Sequence, residues 1–182
     1  SSTVPGRTLH GFRCVPDGEV RAILQLSHGM VEFIDRYKPL AEFLADRGIL
    51  VTGHDHLGHG ASIRTKDDYG FFAQPDGNRA VLDDLHAMTG LTKQLYPGVP
   101  YFLLGHSMGS FYARQYLCEY GGELDGAIIM GTGFQPKALV QFAKNLCRVL
   151  AVFHGWHYRS NCVAHTSFLG YNKGLEGRTT HD

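Results

Sequence analysis

The chain has no surplus of either charge. Its 182 residues carry 17 Lys and Arg against 17 Asp and Glu, a formal net charge of +0. No basic stripe appears, which argues against a nucleic-acid partner. No apolar run is long enough to cross a bilayer, and the stretch from Ser1 to His10 is polar, without the apolar core of a secretory signal. Cysteine is scarce. Cys14, Cys118, Cys147 and Cys162 are widely spaced and form no metal-type pairing. Cys118 and Cys147 fall in apolar helical patterns, which predicts buried free thiols and a reducing, cytoplasmic setting. No dinucleotide or phosphate-loop glycine pattern is present, so no cofactor is expected.

What the chain does have is an ordinary globular composition, 43% hydrophobic and 19% charged, enough for one domain with a core. Residues 7–15 and 19–27 are β-type runs joined by Pro16-Asp17-Gly18, which predicts an antiparallel hairpin at the start of a sheet. Helical spacing follows from Tyr37 to Arg47, closed by Gly48. Ile49 to Thr52 reads as a short buried strand, and His54 to about Pro75 as a loop. Asn78 is a plausible cap for a helix whose stripe is Val81, Leu82, Leu85, Met88 and Leu91. Tyr101 to Leu104 and Gly126 to Met130 are further apolar strand runs, separated by a helical stretch from Ser110 to Cys118. Strands alternating with helices predict a mostly parallel, doubly wound α/β sheet with helices on both faces. Beyond Gly133 the pattern changes to a helix carrying Leu139, Phe142, Ala143, Leu146, Leu150 and Phe153, with Lys137, Lys144 and Arg148 on other faces.

The most informative segment is Gly105-His106-Ser107-Met108-Gly109, between an apolar strand and a helix. Gly-x-Ser-x-Gly in that context is a nucleophile elbow, and Ser107 is the candidate nucleophile. A serine hydroxyl needs a base and donors for the oxyanion it creates. The glycines leave room for a tight turn and close strand–helix packing. The helix N-terminus favours developing negative charge, and the Met108 amide is the natural first donor. A second donor should come from a loop after a neighbouring strand. His28-Gly29-Met30 stands at such a strand end, and the Met30 amide is the candidate.

A third segment, His54-Asp55-His56-Leu57-Gly58-His59-Gly60-Ala61-Ser62, gathers three histidines and an aspartate. The spacing is not that of a zinc site and no cysteine joins it, so no metal is expected. A glycine-rich loop whose polar side chains brace the site floor is the expected role.

Together these three segments, with Glu32 and Arg36-Tyr37, resemble the monoacylglycerol lipase and lysophospholipase branch of the α/β-hydrolase superfamily, a group that includes serine aminopeptidase-like hydrolases. The resemblance covers residues from about 10 to 135. It implies an α/β-hydrolase fold, Ser107 as nucleophile, and the amides of Met30 and Met108 as oxyanion hole. His28, Gly29, Gly105, His106, Gly109, Asp55, Gly58, His59 and Gly60 would be its structural support. Residues 1–133 would be the N-terminal part of the hydrolase core and 134–182 the start of a helical cap, able to offer an apolar face to an acyl chain or to make peripheral membrane contact.

The resemblance also implies a triad acid and histidine on strands that come after the cap, in the order serine, acid, histidine. The C-terminal strands are absent from this chain, which stops at Asp182. His154, His157, His165, His181 and Asp182 are not expected to take those places. A longer hydrolase, with a complementing C-terminal segment or chain, is the expectation. Residues 1–182 alone would be inactive, and poorly soluble through the apolar edge of the 126–130 strand, whose composition suits an interior position. The expected substrate is a small lipid ester such as a monoacylglycerol or lysophospholipid. Peptide or amide hydrolysis and a noncatalytic binding protein of the same fold remain the alternatives.

Overall fold

The computed structural model describes residues 1–158 and residue 160. The chain divides into two units, Ser1–Gly133 and Phe134–Asp182. The first contains a five-stranded sheet: β1 (Gly11–Cys14), β2 (Ala22–Ser27), β3 (Ile49–His54), β4 (Tyr101–His106) and β5 (Gly126–Met130), in the order β1-β3-β2-β4-β5. β2, β3, β4 and β5 run parallel, and β1 is antiparallel to β3. The helices of this unit are α1 (Lys38–Ala45), α2 (Gly77–Leu95) and α3 (Met108–Tyr120). This is the mostly parallel α/β sheet that the strand–helix alternation predicts, in the α/β-hydrolase arrangement that the resemblance implies.

The pleat sorts the strand residues between two cores. Leu103 faces α2 and α3, where it packs with Val81, Leu82, Leu85, Tyr112, Ala113 and Tyr116. Its neighbour Leu104 faces the other way and packs with Leu24, Leu26, Val51, Ile34 and Ala41 of α1. Helices therefore cover both faces. The strand-end loops that follow β2, β3 and β4 emerge together at the carboxyl edge, where ligands of such sheets bind.

Several expectations are corrected. β1 and β2 do not form a hairpin. Both hydrogen-bonding edges of β2 are taken by β3 and β4, which pair with it over five residues each. The shorter, half-exposed β1 crosses to the outer edge of β3 instead. The turn chemistry of Pro16-Asp17-Gly18 reverses the chain without making the flanking strands neighbours. The cap of α2 is Asp76 rather than Asn78, its carboxylate accepting from the Arg79 amide at 3.0 Å. The α2 stripe continues through Thr89 and Thr92, while Leu91 is exposed. Cys118 and Cys147 are exposed rather than buried. The buried face of α3 is Gly109, Ser110, Tyr112, Ala113 and Tyr116, and Cys118 falls outside it. Cys162 lies outside the described residues. β5 stands at the edge of the described sheet, with Ile128 and Met130 exposed.

In the second unit, α4 spans Lys137–His154 and buries none of its residues. Leu139, Phe142, Leu146, Val149 and Phe153 recur at alternating intervals of three and four and are all exposed. No described helix is long and apolar enough to cross a membrane.

One buried amide ties the central strand to α2. The Gln25 side chain donates to the Leu85 carbonyl at 3.0 Å and accepts from the Thr89 hydroxyl at 2.9 Å and from the Tyr101 hydroxyl. Gln25→Leu leaves buried partners unpaired, which costs about 2–3 kcal/mol. A urea-unfolding series should show this loss, and adding Tyr101→Phe should recover part of it by removing one orphaned group.

Candidate active site

β4 delivers the chain into the turn and α3 takes it away at once. Ser107 sits between them with φ 51 and ψ −116, partly exposed. Its amide donates to the Met130 carbonyl at 2.9 Å, and its carbonyl accepts from the Ser110 amide at 2.9 Å and from the Ser110 hydroxyl. The tightness of the turn explains its glycines. A Cβ on Gly109 would overlap the Ser27 carbonyl, so only glycine lets the first turn of α3 lie on the end of β2. A Cβ on Gly105 would meet Gly109 and Ala113. Gly29, in the loop after β2, is close enough that an added Cβ would stand 3.1 Å from the Ser107 Cβ. The two loops singled out in the sequence thus meet at the serine.

Met30 is exposed in that loop, and Met108 is the first residue of α3. Neither amide donates a hydrogen bond within the described residues. Among the described residues, only Val31 and Ser107 are non-glycine residues with positive φ, at 60 and 51. For a β-branched residue that conformation is a genuine outlier, and such strain concentrates at functional sites. Both outliers stand within one residue of a candidate oxyanion donor.

Glu32, which the resemblance includes without a role, holds the two loops together. Its side chain is 6% exposed. Oε1 accepts from the Gly29 amide, from His106 Nδ1 at 2.7 Å and from the Tyr37 hydroxyl at 3.1 Å. Oε2 accepts from Arg36 Nη1 at 3.3 Å. Burial pushes the carboxyl upward, but His106, the Gly29 amide and Tyr37 outweigh it and hold Glu32 below the usual carboxylate range. The carboxylate is therefore ionised and purely an acceptor, which places the His106 proton on Nδ1.

Beneath the serine lies a floor of buried histidines. His28 donates from Nδ1 to the Gly29 carbonyl at 2.7 Å and accepts the His56 amide on Nε2 at 3.0 Å. That lone pair is spent, so the 3.9 Å approach of Nε2 to Asp55 is not an ion pair. Burial lowers the pKa of His28 to about 4. His56 lies within reach of the Ser27 hydroxyl and the His28 carbonyl, each at 3.2 Å. Burial, followed by the neighbouring histidines, pushes His56 well down. His59 donates from Nδ1 to the Leu57 carbonyl at 3.1 Å and stacks on Phe72. Burial lowers its pKa as well. His54 is fully enclosed with both ring nitrogens unpartnered, and burial lowers it to about 4.

Asp55 ties this floor to both neighbouring loops. One carboxylate oxygen accepts the Ile34 amide at 2.6 Å and the other the Ala61 amide at 2.7 Å. Gly60, at φ 48, passes so close that any Cβ would strike the Asp55 carboxylate. Gly58, at φ 71, turns the chain one residue before His59. Among the described residues no group of three His, Cys, Asp or Glu converges as a metal site would require.

The structure thus brings Ser107, Met30, Met108, His28, Gly29, Gly105, His106 and Gly109 to one place, with Asp55, Gly58, His59 and Gly60 forming the supporting loop. Within Ser1–Gly133 no side chain hydrogen-bonds the Ser107 hydroxyl. His165, His181 and Asp182 lie outside the described residues. Sequence reasoning missed the bridging role of Glu32. The signal available was an acid three residues after a strand-end glycine, in reach of that glycine's own amide.

The family model described as serine aminopeptidase, S33, matches residues 18–173. A monoglyceride lipase homolog of monkeypox virus is 41% identical over 113 residues, covering 60% of this chain and 38% of that protein. Human monoglyceride lipase is 35% identical over 122 residues, covering 63% of this chain and 36% of the lipase. The chain spans little more than a third of the length of either. Among solved structures, a thermostable carboxyl esterase from Bacillus coagulans in complex with glycerol superposes with a TM-score of 0.79 at 26% identity, covering 99% of this chain and 57% of the esterase.

The neutral histidine floor carries a pH signature. In the unfolded chain these rings protonate near 6.5, whereas folded His28 and His54 do so near about 4. Above 6.5 both states are neutral and the stability is complete. Between 6.5 and 4 the unfolded chain gains protons the folded one refuses, so stability falls as pH falls. The slope is up to about 1.4 kcal/mol per pH unit for each histidine. Urea midpoints across that window should drop accordingly, and His54→Leu should flatten the slope by one histidine's share. A midpoint independent of pH there would contradict the neutral floor.

Proposed function

The chain belongs to the serine aminopeptidase S33 family of α/β-hydrolases, and from that premise we propose that it supplies the nucleophile and oxyanion hole of a serine hydrolase for carboxylic esters of lipid-like substrates. The observation that carries this reading is the strained Ser107 turn, packed against Gly29 and flanked by two amides with no other partner among the described residues. Ser107 Oγ attacks the ester carbonyl carbon as a base removes its proton. The carbonyl oxygen, now negative, is received by the Met30 and Met108 amides. Collapse expels the alcohol, which takes the proton, and leaves the acyl group on Ser107. Water then repeats the sequence to release the acid and restore the serine. No step calls for a metal or cofactor.

The base and its orienting acid belong, on this reading, to the remaining length over which the relatives extend past the match. A complementing segment of that kind would complete the site. Monoacylglycerol or lysophospholipid is the proposed substrate class, supported by the two monoglyceride lipase relatives. Residues 134–182 are read as the start of a cap. The apolar face of α4, with Lys137, Lys144 and Arg148 on the opposite side of the helix, has the composition of a helix that meets acyl chains or an anionic lipid surface from the cytoplasmic side. Amide hydrolysis is the second reading. The family's description as an aminopeptidase favours it, and the serine chemistry is the same.

The test uses the full-length protein. A fluorophosphonate probe should label Ser107, and monoacylglycerol should be turned over in preference to an aminoacyl anilide. Ser107→Ala should abolish labelling and lower ester turnover by at least about 10³-fold. Anilide preference would transfer the assignment to amide hydrolysis, and absence of both labelling and turnover would remove the enzyme reading.

A further inference from the structure

We infer that Glu32 is a positioning residue whose carboxylate sets the separation of the two oxyanion-hole amides by bridging the loop after β2 to the turn after β4. The inference rests on the reading of Ser107 as nucleophile and deepens it.

One oxygen atom does the bridging. Glu32 Oε1 accepts from the Gly29 amide on one side and from His106 Nδ1 on the other, the first in the loop after β2 and the second at the end of β4, 74 residues from Glu32. Gly29 directly precedes Met30, and His106 stands two residues before Met108. Each candidate donor is thus held by a neighbour whose place is set by the same atom. The Tyr37 hydroxyl and Arg36 hold the carboxylate itself in place.

The loop has reason to need such a clasp. The Gly29–Glu32 turn contains Val31 at φ 60, a strained conformation for a β-branched residue that persists only where surroundings enforce it. The Glu32 carboxylate accepting the Gly29 amide closes that turn across the strained residue. A buried charge is a poor device for stability alone, since its desolvation offsets much of the attraction it gains. Its strength is directional. Several donors from separate segments converge on one acceptor and thereby fix their mutual register. With its lone pairs engaged in this way, Glu32 is not placed to take a proton from Ser107.

The measurement is kcat and KM of the full-length protein for p-nitrophenyl butyrate, expressed per active site titrated with a fluorophosphonate. Glu32→Ala should lower kcat about 100-fold with KM within about threefold of wild type, because oxyanion donors act in the transition state. Glu32→Gln keeps one acceptor oxygen for Gly29 and His106 but loses the charge, and should fall about 10-fold. It also serves if the alanine variant does not fold. In ¹⁵N-resolved imidazole spectra the protonated His106 Nδ1 should shift in Glu32→Gln. A merely structural role would lower the unfolding midpoint and the titratable fraction while leaving kcat per titrated site unchanged. Unchanged kcat per site in both variants overturns the inference while the hydrolase reading stands. A wild-type protein that neither labels nor turns over esters removes the hydrolase reading and the inference with it.

Discussion

The candidate site depends on one close approach: the first turn of α3 lies directly on the carbonyl end of β2. Gly109 makes this possible, since any side chain there would collide with the Ser27 carbonyl. The approach puts Ser107 against Gly29 and leaves the amides of Met30 and Met108 at the same edge. Val31 and Ser107, one in each of the two segments it brings together, stand outside the preferred backbone regions. The strain is local, and it is held by hydrogen bonds that converge from separate segments. Glu32 closes the turn on one side, and the Ser107 amide is anchored to Met130 of β5 on the other.

The polar floor beneath the serine follows a different logic. Its histidines are neutral because burial makes the charged form costly, and those rings bond chiefly to main-chain groups. Asp55 bonds amides of two separate loops. Three histidines in six residues look in sequence like a cluster of ligands or bases. In the fold His28, His56 and His59 serve as hydrogen-bonding spacers between strand ends, and His54 as an enclosed ring without partners.

Much of this was legible before the structure. The Gly-x-Ser-x-Gly turn, the His-Gly-Met strand end and the alternation of strands and helices are local patterns, and local patterns report local structure. The five strand segments and the four helices lie where periodicity puts them, within a few residues. What was not legible is relational. The Pro16-Asp17-Gly18 turn announces a reversal, but the partner of β1 is decided by competition for the edges of β2, which β3 and β4 win. Asp76 displaces Asn78 as cap because both have the chemistry and the helix starts two residues earlier. Cys118 and Leu91 belong to apolar patterns yet face outward, because the buried stripe of each helix is set by which side meets the sheet. Glu32 is the clearest case. Its partners, Gly29 and His106, lie on two strand ends, and only the parallel pairing of β2 with β4 brings them within reach of one carboxylate.

The most direct measurement is a crystal structure of the full-length protein after reaction with an organophosphonate ester. The phosphonyl oxygen of the adduct mimics the oxyanion. The phosphorus should be bonded to Ser107 Oγ, and the phosphonyl oxygen should lie about 2.7–3.1 Å from both the Met30 and the Met108 nitrogen. An adduct on Ser107 whose oxygen points to water or to other donors, or a reagent attached to a different residue, would contradict the geometry on which the site is built.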